Sequence, residues 1–241
     1  MTFRELQKLV QSNGKRKSEF LSDLRISQKP FWIFDKEQHK QEDIRTQGQC
    51  CFWHIIGCPQ KDGKDMPVLP YQKILHNALE NHKRIAILKA RDIGITTFLV
   101  RYITWCCLNR YEPKSRVLIL TGPRIQLSQD LIARFKALFS SPFQLPETEK
   151  TVAIINNVRL EALPSFHCSA ARGYTDVRFI LVDEASFWPP HQMQEVMGVV
   201  SGYISKPNSQ PQIVFCSTPN RPGDLTSRGG VGAKTNVRTY T

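Results

Sequence analysis

A nine-residue stretch, residues 89–97, combines the residue types that a phosphate-binding loop requires. Such a loop needs a preceding strand, a tight turn that presents backbone amides, cationic side chains, and a hydroxyl at the helix start that reaches magnesium. When the stretch is aligned on Gly94 with the pattern G-x-x-x-x-G-K-[ST], Thr96 supplies the hydroxyl. Ile95 stands at the lysine position, whereas Lys89 stands at the first glycine and could swing its ammonium into the loop. The alternative is an ordinary helix N-terminus with a threonine cap.

Two adjacent acids, Asp183 and Glu184, follow the apolar run Phe179–Val182. Carboxylates at the end of a wholly apolar run are costly to bury unless they serve a metal or a cation. In an ATPase the first acid would hold magnesium, directly or through water, and the second would orient and deprotonate the attacking water. The alternative is a pair of acids that cap a surface-facing helix.

A third polar segment, Ser217-Thr218-Pro219, follows the apolar run Gln212–Cys216. Hydroxyls beside the two carboxylates could sense the terminal phosphate of a nucleotide and pass that information onward. On its own this segment is equally typical of a simple turn. The three segments together are more specific than any one of them, because each follows a predicted strand in the order that the chemistry needs.

The elements that must position these residues are short apolar runs that alternate with amphipathic segments. The sequence predicts strands at Ile85–Leu88, Arg116–Leu120, Phe179–Val182 and Gln212–Cys216, a hairpin at Thr151–Leu160, and helices at Thr97–Leu108, Gln126–Phe139 and Gln192–Val200. Wholly apolar strands separated by helices are typical of α/β proteins in which a parallel sheet carries helices on both faces. Ligands bind such sheets at the carboxyl ends of the strands, which is where the three polar segments stand.

The composition limits the partners and the compartment. The chain has 241 residues, with 33 Lys and Arg against 21 Asp and Glu and a formal net charge of +12, which favours a polyanion such as nucleic acid. No apolar run reaches the roughly 18 residues of a membrane span, and the amino terminus lacks the apolar core of a signal peptide. The cysteines are therefore expected to be reduced thiols. Cys51, His54 and Cys58 fit no common zinc finger, and we interpret them as packing residues.

Taken together, the polar segments resemble the ATPase domain of the large terminase subunit of tailed viruses, the motor that packages double-stranded DNA into procapsids. The matching segments are Leu69–Gln72, Leu88–Thr97, Ala171–Tyr174, Ile180–Ala185 and Cys216–Asn220. That family includes members whose phosphate-binding lysine has moved to the position of the first glycine, as Lys89 has here. The resemblance covers roughly residues 66–222 and implies a P-loop NTPase of the RecA/ASCE-like class, with ATP and Mg²⁺ as ligands.

The resemblance implies a role for each residue of the site by its position. Gln72 would pair its amide with the adenine base, although it could equally be a solvated helix residue. Asp183 and Thr96 would hold magnesium, and Glu184 would be the catalytic base. The loop that would cradle the phosphates consists of Lys89, Ala90, Arg91, Asp92, Ile93, Gly94, Ile95, Thr96 and Thr97.

The same resemblance implies how hydrolysis is completed and used. Arg124 and Arg172 are candidates for stabilising the transition state, within the subunit or on a neighbour, and each could instead be a surface cation. Ser217, Thr218 and Pro219 would couple hydrolysis to DNA movement. The implied partners are double-stranded DNA, a homo-oligomeric ring on a procapsid portal and a small terminase subunit, in the cytoplasm of the infected host cell. Contacts from a basic surface predict DNA binding that weakens steeply with salt and ignores sequence.

The chain is expected to have three parts: an N-terminal extension or lid region at 1–65, the P-loop ATPase core at 66–225, and a flexible basic tail at 226–241. Large terminases usually carry a nuclease domain after the ATPase. Beyond the coupling segment the only acid of this chain is Asp224, so we expect the nuclease domain to be absent from it.

Two other functions stay open at this point. The first is a helicase-like ATPase, because Asp183–Ser186 resembles the acidic box of two-lobed helicases, although 241 residues leave little room for a second lobe. The second is a non-hydrolysing DNA-binding packaging subunit, in which Ile95 marks a phosphate loop that has become a relic. ATP turnover by the purified protein would separate these functions.

Overall fold

A computed structural model describes residues 52–57, 60–61, 64–65, 67–139, 144–205, 210–218 and 236–239. Within these ranges the α-helices are α1 (Pro70–Asn81), α2 (Ile95–Asn109), α3 (Ile125–Lys136) and α4 (Pro190–Ile204). The strands are β1 (Gln60–Lys61), β2 (Lys64–Asp65), β3 (Arg84–Leu88), β4 (Arg116–Thr121), β5 (Val152–Ile155), β6 (Val158–Pro164), β7 (Val177–Asp183), β8 (Gln212–Ser217) and β9 (Asn236–Thr239). The described elements also include a π-helical turn (Trp53–Gly57) and two 3₁₀ helices (Ser165–Gly173 and Ala185–Phe187). None of the helices described here has the length and apolar character needed to cross a membrane.

The main sheet contains seven of the described strands in the order β5-β6-β4-β7-β8-β3-β9. Each pair of neighbours from β6 to β3 is parallel, whereas β5 and β9 run antiparallel at the two edges. The predicted core strands occupy the centre because wholly apolar strands are stable only where both faces are covered. The expected α/β fold with a parallel sheet is confirmed in these five central strands.

The side chains of the central strands pack into two separate layers. In β4, Val117 and Ile119 belong to the core that contains α1, α2 and α3. Leu118 and Leu120 belong instead to a second core that contains α4 and the longer 3₁₀ helix. Successive side chains of a strand point to opposite faces of its sheet. Helices therefore cover both faces, as the sequence predicts.

Both edges of the sheet depart from the parallel pattern. The predicted hairpin is confirmed as β5 and β6, with Asn156 and Asn157 in the turn at φ of 50° and 61°. At the other edge, Asn236–Thr239 pairs antiparallel with β3. These four residues belong to the segment 226–241 that the sequence predicts to be a basic tail. Without them β3 would be an open edge with unpaired N–H and C=O groups, which an extended segment can satisfy.

The packed core begins before residue 66, the predicted boundary. Phe52 and Ile56 are 0% and 7% exposed and lie in the same core as α2. The Phe52 ring stacks on His76, with 4.7 Å between centroids, and meets Phe98 and Tyr102 edge-on. Such aromatic pairs contribute about 0.5–1.5 kcal/mol each beyond the area that they bury. The aromatic side chain of Phe52 is therefore an integral part of the core, and the domain boundary at residue 66 stays a prediction.

Other predictions fall on residues outside the described ranges. They concern the extension up to residue 51, Cys51 and Cys58 of the cysteine–histidine cluster, Pro219 of the coupling segment, and the parts of the tail on either side of β9.

Candidate functional site

The three strands that end in polar segments lie side by side, in the order β7-β8-β3. β3 ends at Leu88 opposite Ser217 of β8, and Asp183 of β7 lies opposite the residue that precedes Ser217. Beyond the strand ends, the amides of Lys89 and Glu184 each donate to a β8 carbonyl oxygen, at 3.0 and 2.7 Å. Because parallel strands share one carboxyl edge, segments far apart in the chain meet where ligands bind α/β sheets.

The segment after β3 forms a tight loop that leads into α2. Gly94 is the N-cap residue at φ 79°, a left-handed conformation that glycine adopts without steric cost, and Asp92 is also left-handed at φ 59°. The Tyr71 hydroxyl of α1 donates to the Ile93 carbonyl oxygen at 2.6 Å, which fixes the loop against α1. No side chain caps α2, so the alternative of a threonine-capped helix is wrong. The first amides of α2 are therefore available to an anion.

Lys89 and Glu184 form an ion pair across the strand ends, with 2.5 Å between Lys89 Nζ and Glu184 Oε1. Lys89 is only 8% exposed. Burial lowers the pKa of Lys89, but its hydrogen bond to Glu184 and nearby charges outweigh burial, and the net effect raises the pKa. The second carboxylate oxygen, Glu184 Oε2, accepts hydrogen bonds from the Thr218 amide and hydroxyl at 3.3 and 3.2 Å. One carboxylate therefore connects the loop lysine to the segment that follows β8.

The backbone of Glu184 adopts the left-handed conformation, at φ 53° and ψ 39°. For a residue with a side chain this conformation costs about 1–2 kcal/mol. Surrounding hydrogen bonds maintain it: Ser217 Oγ accepts the Ser186 amide at 3.0 Å, and the Trp188 indole N–H donates to the Asp183 carbonyl oxygen at 3.1 Å. The strained turn brings the Glu184 carboxylate to the loop between β3 and α2 instead of continuing the line of β7.

Asp183 is the buried member of the acidic pair. Its Oδ1 has no hydrogen-bond partner among the described residues. Burial, and then the neighbouring Glu184 carboxylate, raise the pKa of Asp183 to about 6, while the charges of Lys89 and Arg134 oppose the rise. A buried carboxylate oxygen without a partner is costly, and hard divalent cations prefer oxygen ligands. The chemistry of Asp183 therefore suits a hard cation, although Asp183 is not among the residues that line the cavity described next.

The loop and the strand ends surround a cavity of about 380 Å³. Its lining consists of Lys89, Ala90, Asp92, Ile93, Gly94, Ile95, Thr96, Thr97, Arg134 and Glu184. The structure thus brings together nine of the residues named from the sequence. Arg134 of α3 is the addition that sequence reasoning missed. Its only sequence feature is a basic residue in an amphipathic helix, which is more typical of a solvated face.

Two of the expected nucleotide-binding residues do not line this cavity. Gln72 is buried, and its Oε1 accepts the Leu69 amide at 2.9 Å at the start of α1. The alternative of a solvated helix residue is therefore wrong, and the adenine contact of Gln72 stays a prediction. The Arg91 guanidinium lies over the Phe187 ring, 5.7 Å from its centroid.

The two arginines proposed for transition-state stabilisation also lie apart from the lining. Arg124 is the exposed N-cap residue of α3. Arg172 is exposed in the last turn of the 3₁₀ helix Ser165–Gly173. Neither residue is among those that line the cavity, and their catalytic roles stay predictions.

Comparison with solved structures identifies the architecture. The HK97 bacteriophage large terminase superposes with a TM-score of 0.54 and 17% sequence identity, over 75% of this chain and 40% of that chain. The chain has the fold of a large-terminase ATPase domain. This is a P-loop NTPase fold of the RecA/ASCE type, so the predicted fold class and the terminase resemblance are confirmed at the level of the fold.

Two structures of the Thermus phage P74-26 large terminase ATPase domain, one of them a mutant, also match. Their TM-scores are 0.41 and 0.43 at 14% identity, over 68% of this chain and 70% and 71% of theirs. No protein-family model matches the sequence, and no curated protein matches it either. The chain spans less than half the length of the HK97 terminase that it resembles.

Proposed function

We propose that this chain is the ATP-hydrolysing motor of a viral DNA-packaging machine. The observation that carries the proposal is the Lys89–Glu184 ion pair, which lines a cavity of about 380 Å³ beside the free amides of α2. A lysine, a carboxylate and the N-terminus of a helix are the groups that phosphoryl transfer to water requires. The large-terminase fold supports the packaging role.

Nucleotide binding requires Lys89 to exchange partners. Its ammonium contacts Glu184, and the phosphates of ATP offer a more highly charged acceptor in the same cavity. The amides at the start of α2, with the hydroxyls of Thr96 and Thr97, complete a cradle for the phosphate oxygens. Ile95, which occupies the usual lysine position, is buried at 1% exposure. Lys89 is therefore the cation that the loop itself supplies.

Asp183 and Thr96 would hold the magnesium ion. The Oδ1 atom of Asp183 is buried and has no hydrogen-bond partner among the described residues. Asp183 is therefore the better suited of the two acids for this role. When bound, Mg²⁺ would neutralise charge on the phosphate oxygens. Glu184 accepts hydrogen bonds from Lys89 and Thr218, so we assign it a role other than metal binding.

Glu184 becomes available as the general base once Lys89 has moved to the phosphates. Its Oε2 stays anchored by the amide and hydroxyl of Thr218. Its Oε1, released by the lysine, can accept a hydrogen bond from the attacking water and then its proton. The water oxygen bonds to the terminal phosphorus as the bond to the bridging oxygen breaks, which leaves ADP and phosphate.

The same carboxylate offers a route from hydrolysis to movement. Glu184 holds Thr218, and the Lys89 amide donates to the Ser217 carbonyl oxygen. A change in the distance between Lys89 and Glu184 would therefore alter the contacts of the segment that leaves β8. We propose that Ser217, Thr218 and Pro219 transmit this change to DNA.

Residues outside the cavity have proposed roles that need a larger assembly or a bound base. Arg124 and Arg172 are exposed and could complete the site of a neighbouring subunit. Gln72 could read adenine only through its Nε2, because its Oε1 caps α1. The proposed partners are double-stranded DNA, further copies in a homo-oligomeric ring on a procapsid portal and a small terminase subunit, in the cytoplasm of the infected host cell.

Phosphate release from ATP, measured with and without double-stranded DNA, tests the proposal. We expect Lys89→Ala to abolish nucleotide binding, because the cation of the loop is lost. Glu184→Gln should keep its nucleotide affinity and lose turnover by about 10²- to 10⁴-fold, the usual contribution of a general base. Asp130→Asn, which neutralises an exposed carboxylate of α3, is the control and should change neither.

The outcomes separate the competing functions. A folded wild-type protein that binds no nucleotide would overturn the proposal. Binding of nucleotide and DNA without turnover, even in an assembled ring, would favour the non-hydrolysing packaging subunit. ATP-dependent separation of DNA strands would favour the helicase-like ATPase.

A further inference from the structure

The cavity has a second cation that comes from outside the phosphate loop. Arg134 lies in the last turn of α3, and its side chain lines the cavity with Lys89 and Glu184. On either side of it, Leu131 and Phe135 are 4% and 0% exposed in the core. The packing of Leu131 and Phe135 therefore fixes the turn of α3 that carries Arg134.

α3 is also held at both ends by hydrogen bonds. The Ser128 hydroxyl lies 2.7 Å from the Thr121 hydroxyl at the carboxyl end of β4. Lys136 Nζ donates to two backbone carbonyl oxygens in the segment before β5, at 3.4 and 3.2 Å. These contacts fix α3 relative to the sheet, so the position of Arg134 beside the cavity does not depend on a mobile loop.

The guanidinium of Arg134 has no hydrogen-bond partner among the residues that the structure describes. Across the described ranges, no hydrogen bond or ion pair involves its side chain. Lys89, in contrast, is paired with Glu184, and Arg91 lies over an aromatic ring. Arg134 is exposed, and a guanidinium carries five N–H donors that a ligand in the cavity can use.

Arg134 lines the same cavity as the Glu184 carboxylate and the loop residues Thr96 and Thr97. Burial and then Glu184 raise the pKa of Asp183, and Arg134 is one of the charges that oppose this rise. The magnesium ligand and the general base are expected to lie next to the terminal phosphate, where the attacking water must also stand. A cation that shares the cavity with Glu184 is therefore expected near the phosphate that is transferred.

We propose that Arg134 binds the terminal phosphate of ATP within its own subunit and stabilises the charge that develops there during transfer. This inference rests on the proposed ATPase function of the same cavity. A guanidinium can donate two parallel hydrogen bonds to phosphate oxygens, which a lysine cannot do. Lys89 supplies the cation of the loop, and Arg134 of α3 adds a second cation to the same cavity.

The test compares the affinities of the full chain for ADP and for a non-hydrolysable ATP analogue. Arg134→Ala should weaken analogue binding by about 10- to 100-fold, as expected for lost charge-assisted hydrogen bonds, and ADP binding by less than about 3-fold. Turnover should fall by about 10²- to 10³-fold. Arg134→Lys should recover part of the analogue affinity, because it keeps the charge but not the paired geometry.

The matched control is Arg84→Ala, which removes an exposed arginine at the opposite end of β3 and should leave both affinities unchanged. Wild-type affinity and turnover in Arg134→Ala would overturn the inference while leaving the ATPase proposal intact. Equal losses for ADP and the analogue would place Arg134 on the inner phosphates and would also overturn it. If the wild type binds neither nucleotide, the proposed function itself fails and the inference with it. If Arg134→Ala does not fold, the test uses Arg134→Lys, and the same ratio of analogue affinity to ADP affinity is measured.

Discussion

Asp183 occupies its position at a cost to the stability of the fold. Burial, and then the Glu184 carboxylate, raise its pKa from 3.8 to about 6. Between these pH values the folded protein keeps a proton that the unfolded chain has released, so the free energy of unfolding falls as pH rises through this window. Above pH 6 the cost reaches about 3 kcal/mol, since one pKa unit corresponds to about 1.4 kcal/mol. A residue kept at such a cost is typical of a functional site.

Replacing Asp183 with Asn should therefore stabilise the nucleotide-free protein. We expect Asp183→Asn to raise the free energy of unfolding at pH 8 by about 1–3 kcal/mol, or the melting temperature by about 2–10 °C. The same variant should lose the added thermal stability that Mg²⁺ with nucleotide gives to the wild type. Calorimetry measures both effects. Asp130→Asn, with an exposed carboxylate, should stay within about 0.5 kcal/mol of the wild type, and a less stable Asp183→Asn would contradict the account.

Individual site residues differ in how far the sequence could predict them. Lys89 and Glu184 each follow an apolar run, so local pattern was enough to select them. Their ion pair could not be predicted, because it depends on the left-handed backbone of Glu184. Arg134 could not be selected at all, since its place beside the loop depends on how α3 packs against the sheet.

Among the elements, α1 joins the phosphate loop to the aromatic cluster beneath it. Tyr71 contacts the loop, whereas His76, one turn further along α1, is buried against Phe52. His76 Nε2 has no hydrogen-bond partner among the described residues. Burial lowers the pKa of His76 to about 4, with Glu80 opposing that shift and Arg110 adding to it. The imidazole is therefore neutral in the folded protein at pH 7.

This packing predicts a loss of stability in mild acid. Between pH 6.5 and 4 the unfolded chain binds a proton on His76 that the folded protein excludes, so the free energy of unfolding falls as pH falls. Below pH 6, protonation of Asp183 has the opposite effect on the free energy of unfolding. The contribution of His76 must therefore be measured as the difference between the wild type and a variant. We expect His76→Phe to gain about 2 kcal/mol relative to the wild type between pH 7 and pH 5. Chemical denaturation at both pH values measures this difference, and a constant difference would show that His76 titrates normally in the fold.

Elements with a strong internal pattern were predicted well, and elements stabilised by their neighbours were not. α2 and the core strands follow from continuous apolar runs and helical spacing. The 3₁₀ helix at Ser165–Gly173 has no such pattern and depends on tertiary contacts, such as the hydrogen bond from the Tyr203 hydroxyl to Ala171. β9 likewise depends on the free edge of β3.

On the scale of the whole molecule, strand order turns three separate segments into one site. The order β7-β8-β3 places the two acids, the segment that begins at Ser217 and the loop that begins at Lys89 at the ends of adjacent strands. The sequence predicted that the strand ends share an edge, but it did not predict their order, because order depends on the crossovers between strands. We propose that these adjacent strand ends bind one triphosphate.

A crystal structure of the protein with a non-hydrolysable ATP analogue and Mg²⁺ tests this claim most directly. We predict the triphosphate in the cavity beside residues 89–97, with Lys89 Nζ about 2.7–3.2 Å from a phosphate oxygen and no longer on Glu184. The metal ion should lie beside Asp183. An analogue bound elsewhere, or bound with the Lys89–Glu184 ion pair intact, would contradict the account.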